Sequence, residues 1–322
     1  AREYLDQSKL NEAILEFRSA VKADPRSAEA RLELANALIK RGDLRTAYGE
    51  LVRAVDLKPS FQQARYQLGN MHLLLRDTKR AKEQLEKMRE HNRDAWENYH
   101  LAAEIALIEK DVGKALENLQ EAVKREPQKA SLYLHLGQVY VVKRDVQAAE
   151  NAFRKSLELD PKSQKARSSL AVLYMLLGKQ QEAEEELITA TKADPENENL
   201  LHILGNFYRL SKRTGEFEQI YLDLLKKKPG SVVAKKRLAE LYLAKGDVKR
   251  LQIMTDDILN TQPGDVDALY FRGRLRLAEK NAQAAIQDLL AVTKGLPRFT
   301  PAFFNLGNAQ IMARSSGEAK KS

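Results

Sequence analysis

Proline recurs along this chain at a fixed interval. Eight of the nine prolines are separated by 34 residues, or by twice that distance where Arg93 takes the place of one. They are Pro25, Pro59, Pro127, Pro161, Pro195, Pro229, Pro263 and Pro297. A fixed period of this length is typical of repeat proteins, in which each unit packs only on its neighbours. The interval therefore predicts one array of similar units, where an ordinary chain of 322 residues would divide into two domains.

Small residues recur with the same period. Counted from Ala28, the eighth place of every unit is Gly or Ala, as at Ala35 and Gly69, and the twentieth place is Ala except at Phe217 and Leu251. Large apolar residues surround them at helical spacing, such as Leu34 with Leu38, or Leu204 with Tyr208. Each unit is therefore predicted to be two short amphipathic helices whose backbones approach closely at the small residues.

Turn signals separate these predicted helices. The unit boundaries carry Asp-Pro pairs at Asp24, Asp160 and Asp194, and proline disfavours helical geometry in the residue before it and favours the start of a helix. Inside the unit, Gly42-Asp43 and Gly246-Asp247 combine a left-handed helix stop with an Asp that can cap the second helix.

The unit around residues 130–163 carries an almost complete family pattern. Its residues are Tyr133, Leu136, Gly137, Tyr140, Ala149, Phe153 and Pro161. The chain resembles the tetratricopeptide-repeat family over its whole length. That resemblance implies an all-α fold, a right-handed solenoid of about ten antiparallel helix pairs counting the partial ones. We expect one superhelix over 1–322, with a partial repeat at 1–27, eight complete repeats at 28–299 and a partial repeat at 300–322, forming a segment of a longer protein.

No motif of catalysis or cofactor binding occurs in the sequence. Cysteine is absent, and neither GxxxxGK[ST], GxGxxG nor HExxH is present. The five histidines, His72, His91, His100, His135 and His202, include no pair at metal-binding spacing on one helix. We therefore expect no enzymatic activity, no metal and no cofactor. Nucleic acid is not an expected partner either, since no recognised motif accompanies the positive charge.

The first helices of successive repeats line the concave surface in the tetratricopeptide family, and the fifth and ninth places point inward. The predicted partner-binding residues at these places are Asn36, Tyr66, Asn70, His100, Gln138, His202, Asn206, Tyr270, Arg274, Phe304 and Asn308. A side-chain amide both donates and accepts, so the amides could hold the backbone of an extended peptide while the aromatic rings pack its side chains. The alternative is that Asn is common after the small residue of such repeats for ordinary structural reasons.

Positive charge is concentrated in one stretch of the chain. The formal net charge is +9, and residues 209–250 hold twelve Lys or Arg against five acidic residues. The predicted basic patch is Arg209, Lys212, Arg213, Lys226, Lys227, Lys228, Lys235, Lys236, Arg237, Lys249 and Arg250. A focused positive field favours an anionic partner, such as an acidic protein, a polysaccharide or a lipid headgroup. The alternative is that these cations stabilise a helix C-terminus or remain solvated.

The sequence thus supports a scaffold that binds a protein or peptide partner. A polyanion dock in residues 209–250 and a regulatory region of a larger enzyme are the alternatives. Units such as Leu10-Asn11-Glu12-Ala13 resemble those of long bacterial tetratricopeptide proteins, including envelope lipoproteins linked to exopolysaccharide assembly and protein sorting. This implies the bacterial periplasm or envelope, with the cytoplasm as the alternative. Ends without polar caps, at Ala1 to Leu5 and after Ala319, also predict self-association by stacking.

Overall fold

The protein is all-helical over the residues that its computed structural model describes, residue 4 and residues 9–319. Eighteen helices and no strand occur there. In chain order they are α1 Leu10–Ala23, α2 Ala28–Arg41, α3 Leu44–Leu57, α4 Gln62–Leu74, α5 Thr78–His91, α6 Trp96–Ile108, α7 Val112–Arg125, α8 Ala130–Lys143, α9 Val146–Leu159, α10 Gln164–Leu176, α11 Gln180–Ala193, α12 Glu198–Leu210, α13 Thr214–Lys227, α14 Val232–Lys245, α15 Val248–Thr261, α16 Val266–Ala278, α17 Ala282–Gly295 and α18 Thr300–Ala319. None of these helices is both long and apolar enough to cross a bilayer.

The helices follow the predicted period. From Ala28 onward the first helix of each pair begins every 34 residues, and from Leu10 onward so does the second. Consecutive helices from α1 to α9 and from α11 to α18 pack on one another, and helices two apart, such as α4 with α6 and α14 with α16, also touch. The predicted all-α solenoid of helix pairs is therefore confirmed.

The turn inside each pair uses a left-handed residue, as predicted. Gly42, Gly178 and Gly246 have positive φ, and so do five residues with side chains at the same place of their repeats. These five are Arg76, Lys110, Arg144, Lys212 and Lys280. The Asp that follows accepts a hydrogen bond from a backbone N–H of the second helix, at 3.3 Å for Asp43 and 3.0 Å for Asp77. The left-handed residue thus repeats even where it is not glycine, whereas Lys179 and Arg213 follow it without a side-chain cap.

The turn between pairs matches the prediction in one respect and corrects it in another. Asp24 is extended, with φ −130° and ψ 90°, because the following Pro25 disfavours the helical conformation. Pro25 itself, however, does not begin the next helix. It lies in the turn, and Ser27 is the N-cap, accepting a hydrogen bond from the N–H of Ala30 at 3.1 Å. The proline therefore ends one helix, and a hydroxyl starts the next.

Close backbone contact occurs where the small residues recur. Ala13, Ala47 and Ala149 of the twentieth place are completely buried. A methyl group added at Gly137 of the eighth place would lie 2.5 Å from Cε1 of Phe153. Such a contact is far below van der Waals distance, so only glycine fits there without movement of the ring.

The exceptions to the small-residue pattern are also buried. Phe217 and Leu251 occupy the twentieth place of their units, and each is less than a tenth exposed. The second helices that carry them thus bury larger side chains where the other units bury alanine.

The helices form two compact units. Unit 1 is Ala1–Leu173 and unit 2 is Tyr174–Ser322, so the division falls inside α10.

The last helix differs from the prediction. The repeat pattern puts Ala319, at the twentieth place, in a second helix, but α18 is a single helix of 20 residues from Thr300 to Ala319. A turn at this place would put a residue with a side chain in the left-handed region, which costs roughly 1 to 2 kcal/mol. Residues 315–322 contain no large apolar residue whose packing would offset that cost. Ala1 to Leu5, apart from Tyr4, and the residues after Ala319 lie outside the described residues.

Candidate functional site

A groove on the first helices of unit 1 collects the predicted inward-facing residues. It has a volume of about 610 Å³, and Leu32, Asn36, Tyr66, His100 and Leu134 are all in its lining. These are fifth-place or ninth-place residues of α2, α4, α6 and α8. Because the repeat brings the same face of each first helix to the same side, residues about 34 apart become neighbours. Leu32 and Leu134 are buried apolar residues, which gives the groove an apolar floor.

An aromatic and histidine cluster forms one wall of this groove. The ring of Tyr66 meets those of Trp96 and His100 edge to face, with centroids 5.5 Å and 5.8 Å away. The Tyr66 hydroxyl lies 2.9 Å from Nδ1 of His100, and Nε2 of His100 lies 2.5 Å from Nδ1 of His135. Oε1 of Glu104 is 3.9 Å and 3.8 Å from these last two nitrogens. Four polar side chains from three helices thus converge.

Burial sets the protonation of this cluster. It raises the pKa of Tyr66 to about 12, while a hydrogen bond from Asn70 opposes the rise. Burial, with smaller contributions from His135 and Lys129, lowers the pKa of His100 to about 3. It also lowers the pKa of His135 and raises that of Glu104. At neutral pH the phenol and both imidazoles are therefore uncharged.

Three amides in the groove have free hydrogen-bonding groups. The side chains of Asn36, Gln63 and Gln67 make no hydrogen bond to another described residue, and all three line the groove. Asn70 differs, because its amide is used by Tyr66, and Asn70 is not in the lining. Of the predicted amides in unit 1, Asn36 is thus available to a ligand in the groove.

The remaining predicted inward residues do not line this groove. Gln138 is exposed on α8 outside it. In unit 2, the amide nitrogen of Asn206 is 3.0 Å from Nε2 of His202. Arg274 donates a hydrogen bond to the hydroxyl of the buried Tyr270 at 3.3 Å. Phe304 and Asn308 are exposed on α18, with Phe304 69% exposed. The structure therefore divides the predicted set into a groove in unit 1 and side chains of unit 2 that pair locally or face solvent.

The basic segment is largely paired with acidic residues of unit 2. Eight of its twelve cations lie within 4 Å of a carboxylate: Arg213, Lys226, Lys228, Lys235, Lys236, Arg237, Lys245 and Arg250. Acids outside the segment take part, such as Glu184 with Arg213 at 2.5 Å and Asp265 with Lys236 at 2.6 Å. Lys226 and Lys227 also occupy the last turn of α13, where positive charge favours the helix C-terminus.

Four cations of the segment have no such partner. Arg209, Lys212, Lys227 and Lys249 make no ion pair with a described acidic residue. The positive field that the composition suggests is therefore carried by about a third of the cations in the segment.

Several groove residues escaped the sequence prediction. Five residues line the groove from other places of their units. Trp96 is at the first place, Gln63 at the second, Gln67 and His135 at the sixth, and Lys129 at the last. A helix that shows its fifth and ninth places also shows the second and sixth, one turn away. That rule identifies Gln63, Gln67 and His135 from the sequence. His100 and His135 lie on different helices, one repeat and one residue apart, so metal-binding spacing along one helix does not reveal them as a pair.

Comparison with known proteins agrees with this architecture. Residues 4–56 and 143–206 match one tetratricopeptide-repeat family model, and residues 102–164 match a second. No curated protein sequence matches the chain. Among solved structures, the thermophilic tetratricopeptide protein TTC0263 of Thermus thermophilus is 23% identical, with a TM-score of 0.52 over 56% of this chain and 98% of that one. The Pseudomonas aeruginosa protein pilF is 20% identical, with a TM-score of 0.50 over 66% of this chain and 97% of that one.

The chain is a tetratricopeptide-repeat protein. Repeat models and structural relatives agree with the helix pairs, the 34-residue period and the turn chemistry described above. Proteins of this kind are protein-interaction scaffolds.

Proposed function

We propose that this chain is a non-catalytic scaffold that binds an extended segment of a partner protein in the groove of unit 1. The observation that carries the proposal is the meeting of three free amides with an apolar floor and an aromatic wall in one groove. Asn36, Gln63 and Gln67 supply donors and acceptors that match those of a peptide backbone. Leu32, Leu134 and the ring of Tyr66 supply surface for side chains.

The charges at the groove favour a peptide of mixed character. Lys129 and Lys165 line it together with Glu97 and Asp160. Nζ of Lys129 lies 4.3 Å from the centre of the Trp96 ring, which holds the cation against the aromatic wall. Since both signs of charge are present, the groove does not select a uniformly acidic or basic partner.

A polyanion dock on the basic segment has less support. Eight cations there are already paired with carboxylates, and a surface pair is screened further by salt. Arg209, Lys212, Lys227 and Lys249 are the four cations of the segment that could serve such a dock without losing an ion pair.

Selection from a random peptide library displayed on phage tests the groove. A peptide selected on the whole chain is labelled, and its affinity is measured by fluorescence anisotropy for the chain and for the triple variant Asn36→Ala, Gln63→Ala, Gln67→Ala. Loss of three hydrogen bonds of about 1 kcal/mol each should weaken binding by more than tenfold. The matched control is Gln138→Ala, because Gln138 is an exposed amide on α8 that does not line the groove. This variant should bind the peptide within about twofold of the parent affinity. Equal affinity of the parent and the triple variant would contradict the proposal.

A further inference from the structure

The histidine cluster in unit 1 has the composition of a metal site. His100, Glu104 and His135 each offer one ligand atom, and these atoms all lie within 4.8 Å of one another. His100 and Glu104 are one turn apart on α6, and His135 comes from α8 of the next repeat. Two imidazoles and a carboxylate form one of the ligand sets that bind Zn²⁺ with a further position open.

The distances are close to those of a bound ion. Two nitrogens at 2.0 to 2.1 Å from a tetrahedral Zn²⁺ are about 3.3 Å apart. In the structure the nitrogens of His100 and His135 are 2.5 Å apart, and Glu104 Oε1 is 3.9 and 3.8 Å from them. The imidazoles would thus separate by about 0.8 Å, and the carboxylate would approach by about 0.5 Å, to reach that geometry.

Glu104 is the residue that the protein alone leaves unsatisfied. Its carboxylate makes no hydrogen bond to another described residue, and the two imidazole nitrogens lie 3.8 and 3.9 Å from its Oε1. About a third of its side chain remains accessible, so an ion can reach it. A carboxylate placed among apolar and neutral groups without a donor is costly, and a cation beside it removes that cost.

Tyr66 holds His100 in the orientation that a ligand needs. Its hydroxyl lies 2.9 Å from Nδ1 of His100, which leaves Nε2 directed at His135 and Glu104. Metal-binding histidines usually use their second nitrogen in this way, since the outer hydrogen bond fixes both the tautomer and the ring plane. In the metal-bound form, Nδ1–H of His100 donates to the Tyr66 oxygen.

From this arrangement we propose that His100, Glu104 and His135 bind a divalent transition-metal ion of the Zn²⁺ class. The ion would join two successive repeats, α6 and α8, at the wall of the groove. Both imidazoles line the groove, so the fourth ligand is a water molecule or a donor atom of whatever occupies it. This goes beyond the proposed function, because the ion binds whether or not a peptide does.

The test uses the whole chain freed of metal by chelator and dialysis, with ZnCl₂ as the probe. Isothermal titration calorimetry gives stoichiometry and affinity, and the fluorescence of Trp96, the single tryptophan, reports on the site because its ring centroid lies 6.2 Å from that of His100. We expect one Zn²⁺ per chain, an accompanying change in fluorescence and a higher melting temperature. At a free Zn²⁺ concentration 100 times Kd, the unfolding equilibrium constant should fall about 100-fold.

Two variants and a matched control identify the ligands. His135→Gln should weaken Zn²⁺ binding by about 100-fold or more, and Glu104→Gln, which keeps the shape of the side chain, by at least about tenfold. His202→Gln is the control, because His202 occupies the fifth place of its repeat as His100 does but has Asn206 and no second histidine beside it. The control should bind as the parent does. Circular dichroism establishes whether each variant is folded. If His135→Gln is unfolded, the Zn²⁺ affinity of Glu104→Gln tests the proposal. Absence of one-equivalent binding, or binding unchanged in Glu104→Gln, would overturn the proposal.

Discussion

Two regions of this protein differ in how completely their polar groups are paired. In unit 1, the amides of Asn36, Gln63 and Gln67 line the groove and have no hydrogen-bond partner among the described residues, and neither has the carboxylate of Glu104 beside His100 and His135. In the basic segment of unit 2, by contrast, most cations have a carboxylate within 4 Å. The number of cations counted along the segment therefore overstates how many of them are free to bind a partner. Binding capacity follows unpaired groups more closely than it follows charge counted along a sequence.

The largest expected effect tests whether charge in unit 2 serves the fold. Asp288 is 4% exposed and accepts hydrogen bonds from Arg272 at 2.8 Å and Arg276 at 2.7 Å. Asp288→Ala leaves both cations without their partner and should lower the free energy of unfolding by about 3 kcal/mol. Urea denaturation followed by circular dichroism measures it. The control is Asp223→Ala, which breaks the exposed pair with Lys226 and should cost less than about 1 kcal/mol. Equal costs would mean that the buried pairing is not structural.

The next prediction asks whether the backbone conformation or the side-chain charge of Lys212 determines its contribution to the free energy of unfolding. This residue belongs to the predicted basic patch, yet it has φ +59°, at the place where other repeats have glycine. Lys212→Gly should raise the free energy of unfolding by about 1 kcal/mol, because glycine adopts this conformation without strain. Arg144→Gly, with φ +60° in unit 1, should stabilise by the same amount. Gly42→Ala should destabilise by a similar amount. A destabilised Lys212→Gly would show that its side chain makes an important contact.

A third prediction breaks the charge pairing deliberately. Glu218 pairs with both Lys245 and Arg250, at 2.7 and 2.5 Å. Glu218→Gln frees Lys245 and leaves Arg250 paired with Asp247. It should tighten binding of inorganic polyphosphate at low salt by about fivefold, roughly the value of one charge contact near water. Glu104→Gln in unit 1 is the matched control and should have no such effect.

The opposite result would favour a polyanion dock. In that case the parent chain would bind polyphosphate in a salt-sensitive manner. The binding would be lost in the variant that has Ala at Arg209, Lys212, Lys227 and Lys249, and this would place the dock on the basic segment.

The smallest effect concerns pH. Burial holds the pKa of His72 below its ordinary value, with Asp77 and Glu83 opposing the shift and Arg80 adding to it. As the pH falls below about 6.5 the unfolded chain takes up a proton that the folded chain does not, so stability declines there and is constant above it. The slope due to one histidine is at most about 1.4 kcal/mol per pH unit. Urea unfolding at pH 7.5, 6.5 and 5.5 should show a flatter profile for His72→Gln than for the parent. Parallel profiles would contradict the assignment.

The fold was largely predictable because its signals are local and repeated. The 34-residue interval sets the start of every helix, while the alanines of the twentieth place and the Asp caps each set one feature of most units. The error at Pro25 arose because proline can either end a helix or begin one, and sequence alone did not show that Ser27 is the cap. The sequence did not predict that α18 is continuous, because a repeat pattern places a turn by position alone. The turn also needs a following helix that packs against the one before it.

The site was only partly predictable. Fifth-place and ninth-place residues identified Tyr66, His100 and Asn36, because the register is regular. Which amides are free depends on rotamers: Asn70 hydrogen-bonds to Tyr66, and Asn206 meets His202, while Asn36 has no such partner. The pairing of the basic segment was hidden for a similar reason, since Glu184, Asp257 and Asp265 lie outside it in the sequence.

The central claim is that a partner segment binds in the groove of unit 1, and the fluorescence of Trp96 tests it most directly. Trp96 is the single tryptophan and lines the groove, so a selected peptide without tryptophan can be titrated while that one residue is observed. The account predicts a saturable change with the Kd found by anisotropy, little altered by salt and shifted to higher concentration in the Asn36, Gln63, Gln67 triple-alanine variant. A peptide that binds by anisotropy but leaves Trp96 fluorescence unchanged, and is released by modest salt, would contradict it.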